Sequence, residues 1–157
     1  MHLVIDIGNT SAKIAVFSQG EMINVVRSSN QSLEELDELC QQYPIKKGIW
    51  ASVISIPEEI QQQLQQLPFP MTEFTYQTPI PIRNLYKTPQ TLGVDRLAAV
   101  IAAYTLKPHH PALVIDAGTC ITYDFIDEFG QYQGGNISPG MEMRFKALHE
   151  FTSKLPK

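Results

Sequence analysis

The pattern Leu-Val-Ile-Asp-x-Gly occurs twice in this chain, at Leu3–Gly8 and again at Leu113–Gly118. In each copy an apolar run ends in an aspartate and then a glycine. Small hydroxyl or amide residues follow, Asn9-Thr10-Ser11 in the first copy and Thr119-Cys120 in the second, before another apolar run. The pattern predicts two strands joined by a tight turn, with the acid held at the turn. Glycine there lets backbone N–H groups curl toward an anion with no Cβ in the way, while the aspartate holds a cation or a water beside it. Two such turns would grip one polyphosphate from both sides.

A chain of 157 residues suffices for one domain, or for one domain and part of another. The duplicated turn favours the second. With 43% hydrophobic and 18% charged residues the sequence is that of a globular protein with a real core. Its net charge of -4, with no Lys/Arg stripe, gives no footprint for nucleic acid. Cys40 and Cys120 are too few and too scattered for a disulfide framework or a zinc site, and read as reduced thiols of a cytosolic protein. The paired His109-His110 read as a solvated loop. The amino terminus enters a strand directly, without a basic and then apolar leader. No run approaches the roughly 20 apolar residues that a membrane span needs. The expectation is a cytoplasmic protein with no membrane partner.

The alternation of residue types predicts three antiparallel strands, at His2–Ile7, Ala12–Phe17 and Met22–Arg27, with Gln19-Gly20 as the second turn. The period then changes. Ser32 and Glu35 read as a capping box for a helix carrying Leu33, Leu36, Cys40 and Tyr43. A short buried strand at Gly48–Val53 and a helix at Pro57–Leu67, with Ile60, Leu64 and Leu67 on one face, come next. The proline-rich stretch from Pro68 to Pro89 reads as an irregular excursion, with one short strand near Glu73–Tyr76. A third helix, Gly93–Leu106, would bury Leu97, Val100, Ile101 and Tyr104. The first pattern restarts at Ala112–Asp116 and Ile121–Ile126. A turn at Glu128-Phe129-Gly130, a short strand and the glycines of Gly134-Gly135 and Ser138-Pro139-Gly140 then lead into a last helix, whose buried side would be Met141, Phe145 and Leu148. Glu142, Arg144, Lys146, His149 and Glu150 would form that helix's solvated face, and Asp124 reads as a strand-edge charge. These readings place a first domain at residues 1–111 and the incomplete start of a second at 112–157.

Three constellations carry chemistry. Asp6-Ile7-Gly8-Asn9-Thr10, with Lys13 beyond, assembles backbone donors, hydroxyl and amide donors, a carboxylate and a cation. Those are the parts that a polyphosphate and its Mg²⁺ require. Gly93-Val94-Asp95-Arg96 opens the third helix, where the dipole favours a carboxylate. Asp95 there would suit a base that accepts a hydroxyl proton, and Arg96, one step around, would bind an anionic substrate. Asp116-Ala117-Gly118-Thr119 would present a second acid and a hydroxyl donor to the same phosphates. No P-loop, dinucleotide or nucleophile-elbow motif occurs.

On these residues the chain resembles the type III pantothenate kinases, within the superfamily of acetate and sugar kinases, actin and heat-shock chaperone ATPases. Asp6-Ile7-Gly8-Asn9-Thr10-Ser11-Ala12-Lys13 is similar to that family's first phosphate motif. Tyr86, Pro89 and Leu92-Gly93-Val94-Asp95-Arg96 are similar to its substrate motif, and Asp116-Ala117-Gly118-Thr119 to its second phosphate motif. Gly134-Gly135-Asn136-Ile137-Ser138-Pro139-Gly140, then Leu148-His149 and Leu155-Pro156, resemble the stretch that opens the second domain's helix. The resemblance implies an α/β fold. A ribonuclease H-like domain with a mixed sheet, three antiparallel strands and then alternating helix and strand, would be followed by the truncated start of a similar domain. It also implies ATP-dependent phosphorylation of pantothenate to 4'-phosphopantothenate, the first step of coenzyme A synthesis. Asp95 would be the proton acceptor; Tyr86, Gly93, Val94, Asp95 and Arg96 would bind pantothenate; Asp6 to Lys13 and Thr119 would bind ATP with its Mg²⁺. Asp116 would hold a monovalent cation, potassium or ammonium, and the enzyme would be a homodimer. Family members run to roughly 250 residues, so the resemblance further implies a truncated kinase with little or no activity as it stands. The competing expectations are a regulatory or transcription-accessory protein on the same scaffold, and a superfamily kinase for another small hydroxyl substrate.

Overall fold

The computed structural model describes residues 1–156, which form two compact units divided between Thr78 and Pro79. The first is built on strands β1 (His2–Ile7), β2 (Ala12–Ser18) and β3 (Glu21–Ser28), then helix α1 (Leu36–Gln42), strand β4 (Lys47–Ser52), helix α2 (Glu58–Gln65) and strand β5 (Met71–Glu73). Its sheet runs β3-β2-β1-β4-β5, antiparallel among the first three and parallel from β1 through β4 to β5. The antiparallel part follows from short turns that only return a strand beside its neighbour, and the parallel part from helical crossovers that carry the chain back to the same end. At the Gln19-Gly20 turn both residues take positive φ, 52° and 87°. That is the hairpin geometry whose twist matches the strands.

The core of this unit lies between one face of the sheet and the two helices. Leu3, Ile5 and Ile7 of β1 and Ile14 and Val16 of β2 meet Leu36 and Leu39 of α1 and Ile60 and Leu64 of α2, nearly all without solvent contact. The Ser32–Glu35 capping box is not formed. Glu35 is itself the residue that precedes α1, with no side-chain cap, and Ser32 Oγ instead donates to Glu34 Oε1 at 2.9 Å. Burial of Leu33 is the reason. Its side chain is fully inside the core at a φ of 45°, and that left-handed turn delays the helix to Leu36.

The second unit carries the short strand β6 (Arg83–Asn84), one turn of 3₁₀ helix (Pro89–Thr91), helix α3 (Val94–Leu106), strands β7 (Ala112–Ala117), β8 (Cys120–Ile126) and β9 (Gln131–Pro139), and helix α4 (Met141–Glu150). Its sheet runs β6-β9-β8-β7, so β7-β8-β9 repeats the antiparallel meander of β1-β2-β3. The proline-rich stretch thus supplies two short edge strands, β5 to the first sheet and β6 to the second. The sequence placed the boundary after residue 111. The structure groups α3 with the second sheet because α3 packs on β7 and β8, burying Leu97 and Val100.

Two local expectations are corrected. The segment after Gly130 is one nine-residue strand, β9, that continues through Gly134-Gly135 to Pro139, because pairing with β8 resumes beyond an irregularity at Phe125/Ile126. No residue of α4 is buried: Met141, Phe145 and Leu148 are 66%, 51% and 50% exposed. Amphipathic spacing gives a helix an apolar side, but burial needs an element to receive it. The sheet face carrying Leu113, Ile115 and Phe125 is likewise open to solvent.

Candidate active site

In the first unit, register sets Asp6 of β1 opposite Lys13 of β2, and Lys13 opposite Arg27 of β3, so one carboxylate and two cations share one face of the sheet beside the turn. Gly8 closes that turn by donating its N–H to Ser11 O at 3.1 Å, and Ile7 and Ala12 anchor the two strands in the core. Asn9 and Thr10 at the tip are exposed. Asn30, just beyond β3, is only 9% exposed and donates its amide to Gly8 O at 2.9 Å and to Asn9 O at 3.0 Å.

The second unit repeats the turn. Asp116 near the end of β7 is exposed and lies opposite Thr122 of β8. Gly118 donates its N–H to Cys120 O at 2.9 Å, and Thr119 sits exposed at the tip. Gly140, which leads into α4, donates its N–H to Thr119 O at 3.0 Å. Any Cβ at that position would strike the carbonyls of Gly118 and Thr119, so the approach requires glycine.

The residues expected to hold substrate are assembled around the start of α3. Leu92 is buried, and Gly93 precedes the helix at a φ of -57°. A Cβ on Gly93 would come within 2.5 Å of Asp95 Oδ1, so glycine leaves room for that carboxylate. Asp95 Oδ1 in turn accepts the N–H of Arg96 at 2.8 Å, which ties the acid to the positive end of the helix.

Arg96 does not project as a lone cation. It is 6% exposed, and its Nε and Nη2 donate to Asp124 of β8 at 3.0 and 2.6 Å. Asp124 is 1% exposed on an interior strand, so it is a buried counter-ion, not the strand-edge charge that the sequence suggested. Tyr132 of β9, fully buried, donates its hydroxyl to Asp124 Oδ1 at 2.6 Å. Tyr86 stacks on Tyr132 with ring centroids 6.3 Å apart and planes 8° from parallel, and the Arg96 guanidinium carbon lies 5.9 Å from the centre of the Tyr86 ring. Gly134, at a φ of 100°, makes room for Tyr86, whose ring would lie 3.3 Å from a Cβ there.

The electrostatics follow from burial and pairing. Donating to Asp124 raises the Arg96 guanidinium above its ordinary range against the opposing effect of desolvation. Burial first, and then the hydrogen bond to Asp124, push the Tyr132 phenol well above its usual value, so it stays protonated as a donor. A planar arginine held on two nitrogens by a carboxylate is fixed in orientation.

Tyr86, Gly93, Val94, Asp95 and Arg96 are thus brought together in the second unit, with Asp124 and Tyr132 as partners that motif reading missed. Strand alternation carried the signal. Asp124 lies two residues before Ile126, on the face of β8 that is buried, where an acid requires a partner. Among the described residues no three His, Cys, Asp or Glu side chains gather to hold a metal ion. No helix there is long and apolar enough to cross a membrane. Cys40 and Cys120 are free thiols.

The family model described as type III pantothenate kinase matches residues 2–157. A curated type III pantothenate kinase from Phocaeicola vulgatus is 63% identical over all of this chain, which spans 65% of that protein. One from Bacteroides fragilis is 55% identical over 99% of the chain, spanning 64% of its length. Among solved structures, a putative 2-dehydro-3-deoxygalactonokinase from Sinorhizobium meliloti superposes with a TM-score of 0.55 at 13% identity, covering 97% of this chain and 58% of that one. That likeness concerns the fold alone, and it agrees with the mixed-sheet α/β architecture.

Proposed function

This chain belongs to the type III pantothenate kinase family, and on that premise we propose that the protein carrying it transfers the γ-phosphoryl group of ATP to the primary hydroxyl of pantothenate. The products are ADP and 4'-phosphopantothenate. Because the chain spans about 65% of its relatives' length, the proposal concerns the whole protein.

The observation that carries this reading is Asp95. Its carboxylate is anchored at the start of α3 on the Arg96 N–H, beside an arginine and a tyrosine whose orientations are fixed by buried partners. Asp95 takes the proton of the attacking hydroxyl while the oxygen forms its bond to the γ-phosphorus and the bond to ADP breaks. Little else is required of protein groups, since phosphoryl transfer depends mainly on positioning and charge neutralisation. Tyr86, Gly93, Val94 and Arg96 would hold pantothenate. The turn from Asp6 to Lys13 and the hydroxyl of Thr119 would hold the phosphates.

Mg²⁺ would arrive with ATP and supply charge neutralisation on the phosphates. The donors at the two turns, a carboxylate each with hydroxyls and carbonyls, are the hard oxygen ligands it takes. Asp116 would contribute its carboxylate to a potassium or ammonium ion. A cytoplasmic homodimer completes the proposal.

Pantothenate-dependent ADP release with Mg-ATP, in potassium and then in sodium, tests it on this chain and on one extended to its relatives' length. Turnover in potassium that requires pantothenate is expected from the extended chain. Absence of turnover from both would overturn the kinase reading, and equal rates in sodium would overturn the role given to Asp116.

A further inference from the structure

The two copies of the phosphate turn share a feature that their sequences do not. In each, the carbonyl of the residue after the glycine is held by the segment that follows the third strand of the meander. In the first unit the holder is a side chain: Asn30 Nδ2 donates to Asn9 O at 3.0 Å and also to Gly8 O at 2.9 Å. In the second it is backbone: Gly140 N donates to Thr119 O at 3.0 Å. Asn9 and Thr119 occupy the same place in the repeated pattern, so one constraint is met twice by different chemistry.

Its consequence follows from the peptide unit. A trans peptide is planar, with C=O and N–H pointing in opposite directions, and no cis bond occurs among the described residues. Fixing Gly8 O and Asn9 O on Asn30 therefore turns the N–H groups of Asn9 and Thr10 toward the opposite side. A backbone donor turned outward at such a turn is what an anion site uses. Asn30 is nine-tenths buried, whereas Asn9 is exposed, so the side-chain amide sits beneath the turn and the Asn9 N–H is turned away from it. A two-residue hairpin commonly returns an N–H to the first carbonyl; here Asn30 takes Gly8 O.

We propose that Asn30 is a positioning residue for the triphosphate of the nucleotide. It touches no phosphate itself, and orients the first turn so that the Asn9 N–H receives one. Gly140 is its counterpart in the second turn. This rests on the kinase reading only for the identity of the anion.

The test is a titration of the chain with inorganic tripolyphosphate and with Mg-ATP, followed through the backbone amide resonances of Asn9 and Thr10. It uses wild type, Asn30→Ala and the near-isosteric, neutral Asn30→Leu. In wild type both ligands should shift the Asn9 resonance. Both variants should bind at least about tenfold more weakly, the loss of one or two well-made hydrogen bonds, with the resonances of the β2 core residues Ile14 and Val16 unchanged. Those two resonances separate altered positioning from a disturbed fold, and Asn30→Leu decides if the alanine variant does not fold. Undiminished tripolyphosphate affinity in a folded variant, or an Asn9 amide unmoved in wild type, would overturn the inference. Asn9 shifting with tripolyphosphate while the extended chain shows no pantothenate-dependent turnover would remove the substrate assignment and leave the inference standing.

Discussion

Asp124 holds Arg96 by two nitrogens in a site where neither side chain is more than 6% exposed. The arginine that would face substrate is thus half of a buried ion pair, capped on the carboxylate side by the Tyr132 hydroxyl. Desolvating two charges is expensive, and the geometry repays it only while both are present. Asp124→Ala should therefore cost about 3–5 kcal/mol of stability, the penalty for an uncompensated buried charge. Arg96→Met combined with Asp124→Leu should recover most of that. Urea midpoints measure both. A single-variant loss below about 1 kcal/mol would mean that the pair behaves as a solvated surface bridge.

Tyr132 gives a pH signature. Its folded-state phenol lies above its ordinary value of 10 through burial and the bond to Asp124. Folding therefore favours the protonated form. That contribution is complete below pH 10 and is lost as the pH climbs through the raised value. Tyr132→Phe should begin less stable by about 1–3 kcal/mol, since it leaves Asp124 short of a donor. Its deficit should shrink above pH 10 as the wild type loses its advantage. A gap that stays constant or widens into the alkaline range would contradict this account.

Gly140 approaches the second turn so closely that a methyl group has no space. Gly140→Ala should push the Gly118 and Thr119 carbonyls aside at a cost of about 1–3 kcal/mol, as overpacking does. Under the proposed function it should also weaken Mg-ATP binding while leaving pantothenate binding close to wild type. Equal loss of both ligands would assign Gly140 a general structural role.

Asp95→Asn preserves an oxygen that can accept the Arg96 N–H, so α3 should begin as before. The proton acceptor is lost. In a full-length protein kcat should fall by about 10²- to 10⁴-fold, the usual contribution of a general base, with KM for pantothenate within a few-fold of wild type. Rates that survive this change would exclude Asp95 as the base.

Much of this is legible in the sequence. The two turns, the three strands of the first meander and α3 lie where alternation and periodicity placed them, because core-facing residues such as Leu3, Ile5 and Ile7 recur every second position. The α1 start was not legible. Ser32 and Glu35 have the spacing of a capping box, but the burial of Leu33 at a positive φ outweighs a cap worth about 1 kcal/mol. Nor was the openness of α4, since an apolar stripe states what a helix can bury and not what is there to cover it.

The order of residues along the chain thus determined which local pieces would form and which side chains would stand at each turn, since hydrophobic period, glycine and capping preferences act within a few residues. Only the tertiary structure decided that Arg96 pairs with Asp124, that Tyr86 stacks on Tyr132, and that Asn30 reaches back to the first turn. Those partners are far apart in sequence, and each pair meets because sheet register and helix packing within its own unit bring the two residues together. There the cost of burying a polar group unpaired selects the partner.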